Sequence, residues 1–333
     1  MFAAYIEEFG SPDTIRWGEL PAPRPGPTDV LVEVEVAAVN HVDTFVRSGA
    51  WRTPVPLPFV IGRDLAGTVA ETSPGAVGFR VGDRVWCNSM GHAGRSGAAA
   101  EQVVVPADRL YHLPPGVDPA AAVAVAHPAA TAHLALFTHG RVRAGESVIV
   151  LGGGGNVGSA LTLMAARAGA RVVVTASARD TERCRALGAE RVIDYRAPDV
   201  TARLRDACPG GADLFLDTSG ANDLETALDL LARRGRIVVL AGMGTRPVLP
   251  AGALYLNDRT VTGFAISQAT VTELADTAAG LNRLLADGSL RPPAIVPMPL
   301  DRAAEAHRLL ESGQVRGKIV LHATPEIKAP QGT

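Results

Sequence analysis

A run of glycines, Gly152-Gly-Gly-Gly-Gly-Asn-Val-Gly158, carries the strongest chemical signal in the sequence. It contains the spacing Gly153-x-Gly155-x-x-Gly158 and lies between an apolar run that ends at Leu151 and a helical pattern over residues 159–168. Glycines at this spacing permit a tight turn and close backbone approach, and the free N–H groups of a helix N-terminus favour a pyrophosphate. The context therefore predicts a dinucleotide site, with an ordinary glycine-rich turn as the alternative.

Cofactor preference depends on the residues about 20 positions farther along, after the second apolar run. NAD-preferring sites carry Asp or Glu there, because a carboxylate accepts hydrogen bonds from the ribose hydroxyls. This sequence has Ser177, followed by Arg179 and Arg183. A carboxylate that would repel a 2′-phosphate is absent at that position, and guanidinium groups that would bind the phosphate follow it. The pattern predicts NADPH, with two merely solvated surface arginines as the alternative.

The elements that must position this site follow two patterns. Up to about residue 118, short segments such as 30–36 alternate apolar and polar residues between prolines and glycines, which predicts an all-β, barrel-like domain. Apolar runs then alternate with helical stretches, which predicts a parallel sheet covered on both faces. These runs are 147–151, 171–175, 191–193, 212–216 and 236–240. We expect an α/β chain in which residues 1–124 and 268–333 form one domain and residues 125–267 form the nucleotide-binding domain.

Composition narrows the function and the location of the chain. The 333 residues have a net charge of −2, so no broad basic surface is available to neutralise a nucleic acid. Cys87, Cys184 and Cys208 lie far apart, unlike the close pairs of disulfide frameworks and thiolate metal sites. The first eight residues include two acids, Glu7 and Glu8, and lack the basic region of a signal peptide. We expect a cytoplasmic protein that binds small molecules.

One uncharged stretch, residues 120–140, resembles a membrane span in composition. It is mostly alanine and contains His127, Pro128, His133 and His139. Such a segment inserts poorly into a bilayer. We expect a buried alanine-rich helix that starts near Pro128 and no membrane association.

Several segments together resemble a known family over nearly the whole chain. Residues 38–49 resemble an Asn-containing loop, and Gly82-Asp-Arg-Val85, Thr131-Ala132, residues 188–195 and Gly317-Lys-Ile-Val320 follow in the expected order. They are similar to the zinc-independent quinone oxidoreductase branch, the zeta-crystallin-like branch, of the medium-chain dehydrogenase/reductase superfamily. The resemblance implies a GroES-like β-barrel domain plus a Rossmann domain with a doubly wound parallel sheet. It also implies a homodimer joined at the edge strand over residues 259–264.

The resemblance implies roles for individual residues. Asn40 and Thr131 are expected beside the nicotinamide, where Asp43 joins them as a catalytic candidate. Tyr195 is expected at the adenosine end, with a half-buried aromatic at a strand end as the alternative reading. The full set of expected cofactor contacts is Asn40, Thr131, Gly153, Gly155, Asn156, Val157, Gly158, Ser177, Arg179, Arg183, Tyr195, Ser219, Gly242, Phe264, Ile266, Arg316 and Lys318.

The same comparison predicts that no metal is bound. Zinc-dependent relatives use Cys in a Cys-His-x-Asp loop and His in a Gly-His-Glu motif, because zinc favours thiolate and imidazole ligands. The matching stretches here are Asn40-His41-Val-Asp43 and Gly62-Arg63-Asp64. Both defining ligands are replaced, and an arginine would repel a dication. His41, His92 and His127 remain a less favoured substitute set.

Without a metal, an electron-poor acceptor is the substrate class that remains. A quinone or an α,β-unsaturated carbonyl delocalises the negative charge that hydride transfer leaves, so positioning supplies much of the acceleration. The proton donor stays open: Phe45 lacks a hydroxyl, whereas His41 and His127 are candidates and Asp43 is a possible orienting group. We predict NADPH-dependent quinone reduction. The alternatives are reduction of a conjugated double bond in an enal, enone or enoyl thioester, and non-catalytic NADPH binding as in crystallins.

Overall fold

The computed structural model describes residues 1–323, and the chain divides into two compact units. The first unit comprises Met1–His127 and the segment from Thr270 onward, and the second is Pro128–Ala269. The end of the predicted first domain, residues 324–333, lies outside the described residues.

The first unit is built mainly from antiparallel strands. The elements of this unit are β1 Phe2–Ile6, β2 Arg16–Glu19, β3 Asp29–Ala38, α1 His41–Ser48, β4 Phe59–Val60, β5 Asp64–Thr72, β6 Arg84–Cys87, β7 Gln102–Pro106, β8 Tyr111–His112, α8 Val271–Ala286, β15 Ile295–Pro299, α9 Ala303–Glu311 and β16 Lys318–His322. A seven-stranded sheet has the order β15-β16-β3-β5-β6-β8, with β7 paired to β3, and a three-stranded sheet has the order β2-β1-β4.

Strand β3 shows why this unit forms a sheet. Val30, Val32 and Val34 are buried while Leu31, Glu33 and Glu35 are more exposed, so the period-two pattern of the sequence places one apolar face on the core. Helix α1 is a departure from the predicted all-β domain. It follows Asn40, whose backbone N–H donates to Asp43 Oδ2 at 2.8 Å, and it ends at Gly49 in the left-handed conformation, with φ 76°. This local capping overrides the β-rich surroundings.

Helix α2, Pro119–His133, corrects the expected start near Pro128. Asp118 accepts hydrogen bonds from the backbone N–H groups of Ala120 and Ala121, and Pro119 occupies the first turn, where its missing N–H costs nothing. The helix continues as a π-helical segment, Leu134–His139. The stretch Pro119–His139 is long and apolar enough to cross a membrane, and 78% of its most apolar window is buried in the protein, as in a core helix.

The second unit is a parallel six-stranded sheet with helices, as the sequence predicts. The strand order is β11-β10-β9-β12-β13-β14, and every pairing is parallel. Helix α3 begins at Asn156 rather than Ser159, because Gly155 already serves as its N-cap. The elements are β9 Ser147–Leu151, α3 Asn156–Arg167, β10 Arg171–Ala176, α4 Thr181–Ala186, β11 Arg191–Asp194, α5 Val200–Ala207, β12 Ala212–Asp217, α6 Leu224–Asp229, β13 Leu231–Val239, α7 Ala251–Tyr255 and β14 Thr260–Gly263.

Candidate functional site

The glycine run forms a tight bend between β9 and α3. Gly152 has a φ of +83°, and a Cβ on Gly158 would overlap the carbonyl oxygen of Gly152. A Cβ on Gly153 would lie 2.9 Å from Cβ of Val174, so the bend packs directly on β10. Gly155, in contrast, is exposed, and a Cβ there would meet only the Gly152 carbonyl oxygen, at an ordinary contact distance of 3.5 Å. The backbone therefore offers a bare surface at the start of a helix whose first N–H groups have no intrahelical acceptor, which fits a dinucleotide pyrophosphate.

A carboxylate that the sequence analysis did not consider lies beside this bend. After β10, a 3-10 turn, Ala178–Asp180, folds back so that the Asp180 carboxylate lies beside Gly154. A Cβ on Gly154 would be 2.8 Å from Asp180 Oδ2. Ser177 Oγ donates to the same oxygen at 2.6 Å. The sequence-based argument considered only the position of Ser177, and it did not include Asp180, which the 3-10 turn brings beside the bend.

Arg183, expected to bind a phosphate, has other partners. Its Nη1 donates to Ser159 Oγ at 2.6 Å, and its Nη2 donates to the carbonyl oxygen of Gly154 and to Asp180 Oδ1. The guanidinium therefore joins the bend, α3 and the 3-10 turn. Arg179 differs: its side chain is 54% exposed, and its Nε lies 3.6 Å from Asp180 Oδ2. Of the two arginines, Arg179 is the one available to an incoming phosphate.

The remaining residues expected at the cofactor in the second unit have varied surroundings. Tyr195 is half exposed, with the Arg196 guanidinium 5.1 Å from its ring centroid. Ser219 Oγ donates to Asp217 Oδ1, and Phe264 stacks on His139 with ring centroids 4.4 Å apart. Buried or partly buried positions are held by Thr131, Asn156, Val157, Gly242 and Ile266. Their contacts with a cofactor stay predictions.

In the first unit, the two motif segments singled out in the sequence meet in one buried cluster. Asn40 Nδ2 donates to Asp64 Oδ2 at 2.9 Å, and Lys318 Nζ donates to Asn40 Oδ1. Asp43 accepts from the Asn40 backbone. These hydrogen bonds fix the orientation of the Asn40 amide, since a cation holds its oxygen and a carboxylate holds its nitrogen. Arg316, expected near Lys318, is an exposed residue.

Burial changes the proton affinities in this cluster. It raises the pKa of Asp43 to about 6, against the opposing charge of Arg63. It raises the pKa of Asp64 to about 7, against the ammonium group of Lys318. The pKa of Lys318 is lowered by burial, with the two carboxylates opposing the shift. The cluster therefore holds groups that exchange protons near neutral pH.

The two candidate proton donors are placed differently. His41 is exposed at the first position of α1. His127 Nδ1 lies 3.8 Å from Asp64 Oδ1, and burial together with the charges of Arg63 and Lys318 holds the pKa of His127 well below its usual value. His127 is therefore a neutral imidazole at neutral pH, which is a poor acid.

Comparison with known proteins identifies the family. The model for the alcohol dehydrogenase GroES-like domain matches residues 26–115, and the model for zinc-binding dehydrogenases matches residues 156–280. A quinone oxidoreductase of Rattus norvegicus is 30% identical over 325 residues, which are 96% of this chain and 97% of the relative. The chain belongs to the medium-chain dehydrogenase/reductase superfamily, in its quinone oxidoreductase branch.

Solved structures of the superfamily agree with this fold. An NAD-dependent alcohol dehydrogenase matches with a TM-score of 0.87 and 32% identity, covering 97% of this chain and 100% of its own. A mycobacterial protein in complex with NADPH matches with a TM-score of 0.82 and 31% identity, covering 97% and 99%. The fold is the GroES-like and Rossmann combination of the superfamily, and a nicotinamide dinucleotide is its cofactor class.

The match to the zinc-binding dehydrogenase model covers residues 156–280, so it does not include the segments that correspond to the zinc motifs. Within residues 1–323, no three His, Cys, Asp or Glu side chains form a group that could hold a metal ion. The place of the second zinc ligand is taken by Arg63, which is buried with Asp43 Oδ1 4.0 Å from its Nε. Sequence reasoning used Arg63 only as an argument against a metal ion, and the residue type gave no sign that its guanidinium is buried.

Proposed function

We propose that this chain is an NADPH-dependent oxidoreductase that delivers hydride to a quinone without a metal ion. The observation that carries the proposal is the glycine bend before α3 with Arg179 exposed at its adenosine end, in a chain that aligns end to end with quinone oxidoreductases. A homodimer in the cytoplasm is part of the same proposal; three buried free cysteines suit a reducing compartment.

The preference for NADPH is supported by the charge balance after β10. The carboxylate described at the bend is that of Asp180, and it already accepts hydrogen bonds from Ser177 and Arg183. Arg179 adds a second positive charge, so the group of three charged side chains carries a net charge of about +1. This positive charge favours binding of the 2′-phosphate of NADPH, whereas the unphosphorylated ribose of NADH carries no charge with which it could interact.

The residues of this chain bind and orient, and the cofactor supplies the redox chemistry. When bound, a reduced nicotinamide provides the hydride. The bend and the N-terminus of α3 bind the diphosphate, and Arg183 keeps the bend attached to the turn after β10. The Asn40 amide, held by Lys318 and Asp64, presents a fixed donor and acceptor in the first unit.

Steady-state oxidation of NADPH and NADH against a panel of quinones and enones tests the proposal, with and without a strong chelator. We expect quinone reduction with NADPH as the better donor and no effect of the chelator. Activity lost in chelator would refute the metal-free assignment. Turnover of enones but not quinones would replace the proposed substrate class with conjugated double bonds, and nucleotide binding with no turnover of either class would indicate a non-catalytic binding protein.

A further inference from the structure

Arg63 is a buried guanidinium with unused hydrogen-bond donors. Only 2% of the residue is exposed, and its Nε and Nη2 atoms have no hydrogen-bond partner among residues 1–323. Buried guanidinium groups are normally bonded to acceptors, because an unmet buried donor costs roughly 1–3 kcal/mol and more when it is charged. Two charged donors without hydrogen bonds in the interior therefore indicate that a ligand supplies their acceptor.

The two unused donors lie on the same edge of the guanidinium. Nε–H and Nη2–H point in parallel, which is the geometry that holds a carboxylate or a single oxygen with two hydrogen bonds. The nearby carboxylates do not fill this role. Asp43 Oδ1 is 4.0 Å from Nε, beyond hydrogen-bonding distance, and Asp64 is held by Asn40.

An aromatic wall covers the face of the guanidinium. Cζ of Arg63 lies 5.7 Å from the ring centroid of Trp51, and the Trp51 ring lies 5.7 Å from that of His92. His92 Nδ1 is 2.9 Å from Thr53 Oγ1. Trp51 is only partly buried and lies in the segment that connects α1 to β4, so the aromatic wall over Arg63 borders the surface of the unit.

The surrounding charges favour an electron-rich ligand at this edge. Burial lowers the pKa of His92 to about 4, and the charges of Arg63, Arg95 and Arg109 add to the shift, so the ring is neutral among cations. Lys318 donates to Asn40 and lies close enough to Asp43 and Asp64 to balance part of their charge. The same two carboxylates also attract Arg63, but neither accepts a hydrogen bond from its Nε or Nη2, so these two donors remain for a further oxygen.

We propose that the Nε–H and Nη2–H edge of Arg63 binds the carbonyl oxygen of the electron acceptor and stabilises the negative charge that forms on it. The proposal rests on the proposed function. Hydride from the bound cofactor forms the new bond to the acceptor, and the π electron pair of the acceptor moves onto its carbonyl oxygen. A proton from water then neutralises that oxygen, and the guanidinium keeps its own protons. Arg63 supplies the electrostatic help that a metal ion gives in zinc-dependent relatives.

The test compares Arg63→Ala, Arg63→Lys and a matched control, Arg84→Ala, which removes an exposed arginine of the same unit paired with Glu35. Duroquinone is the acceptor, since its substituted ring does not add to thiols. We expect kcat/KM to fall about 100-fold or more in Arg63→Ala, the usual effect of losing a preorganised donor. Added guanidinium ion should restore part of the rate, and urea should not. Arg84→Ala should match the wild type.

Two equilibrium measurements separate this inference from the proposed function. Binding of p-nitrophenolate, a stand-in for the anion of the reduced acceptor, should weaken in both Arg63 variants, and binding of adenosine 2′,5′-bisphosphate should not change. A chain that turns over no acceptor but binds p-nitrophenolate through Arg63 would refute the proposed function alone. Arg63→Lys with wild-type turnover, or unchanged p-nitrophenolate binding in either variant that retains nucleotide binding, would overturn the role of Arg63.

Discussion

Two carboxyl groups with raised pKa values set the energetics of the Asn40 cluster. Asp64 has a pKa of about 7 in the folded chain, against 3.8 as its ordinary value. Between these values the folded state binds more protons than the unfolded state, so this group makes stability fall as pH rises from about 4 to about 7. Above that range the full cost of the buried charge is present. The cluster thus places a charge where the fold alone would disfavour it, as functional sites commonly do.

Asp64→Asn tests this cost, because its amide oxygen can still accept from Asn40 Nδ2. We expect the variant to match the wild type near pH 4 and to become more stable than the wild type as pH approaches 7, by a few kcal/mol at most. Thermal unfolding across this pH range measures the difference. Asp206→Asn, a change at an exposed carboxyl, should follow the wild-type profile. Parallel profiles for Asp64→Asn and wild type would contradict the raised pKa.

Asp180 and Arg179 should act in opposite directions on cofactor choice. Removing the Asp180 charge in Asp180→Asn takes away repulsion of a 2′-phosphate, and the amide can still accept from Ser177. We expect affinity for adenosine 2′,5′-bisphosphate to rise about tenfold, or ~1.4 kcal/mol, with little change for 5′-AMP. Arg179→Ala should lower only the bisphosphate affinity. Calorimetric titration gives both constants, and equal effects on the two nucleotides would show that the 2′-phosphate binds elsewhere.

Residues whose role depends on local spacing could be predicted from the sequence. Residues that a turn or the tertiary fold brings into contact could not. The glycine bend was predictable because glycine spacing, strand and helix are contiguous. Asp180 was missed because the 3-10 turn brings it back to Gly154. The meeting of Asn40 with Lys318 joins positions at opposite ends of the chain, and no local pattern specifies such a contact.

At the scale of elements, periodicity predicted strands well and helix starts poorly. The core strands of the second unit lie where continuous apolar runs predicted them, because both faces of a parallel sheet are buried. Helices α1 and α2 begin at polar caps, Asn40 and Asp118. The first was missed because alternating segments predicted an all-β domain, and the start of the second was misplaced because alanine content and Pro128 guided the prediction. If capping residues had been considered before composition, both helix starts could have been predicted.

Substitutions of two glycines at the junction of β9 and α3 should distinguish an effect on folding from an effect on nucleotide binding. In Gly158→Ala the new Cβ meets the Gly152 carbonyl carbon at 2.7 Å, so the backbone must move, at a cost of about 1–3 kcal/mol, and nucleotide affinity should be lost. In Gly155→Ala the nearest atom is 3.5 Å away and the backbone φ is −80°, so folding should be unaffected. The added methyl nevertheless occupies the surface proposed for the diphosphate. Thermal unfolding and titration with ADP distinguish the two, and wild-type ADP affinity in Gly155→Ala would refute that surface.

At the scale of the whole molecule, the second unit has several large apolar side chains exposed in the segment that precedes the sheet edge at β14. Strand β14 ends the strand order and pairs with β13 on one side. The chain just before it exposes Met243, Val248, Leu249, Tyr255 and Leu256. Exposed strand edges and apolar groups are typical of surfaces that another chain covers. This placement supports the proposed homodimer through the edge of the parallel sheet.

Leu256→Arg tests that assembly without disturbing the core, because the Leu256 side chain is 71% exposed. A two-fold interface would receive one new arginine from each chain, so added charge and lost apolar burial act together, and we expect the dimer to dissociate at least about tenfold more readily. Light scattering coupled to gel filtration over a range of protein concentrations measures the mass. Val77→Arg, at an 86% exposed position of the first unit, is the matched control and should remain dimeric. If Leu256→Arg stays dimeric at every concentration at which the wild type does, the interface lies on another surface; a monomeric wild type would remove the dimer from the proposal.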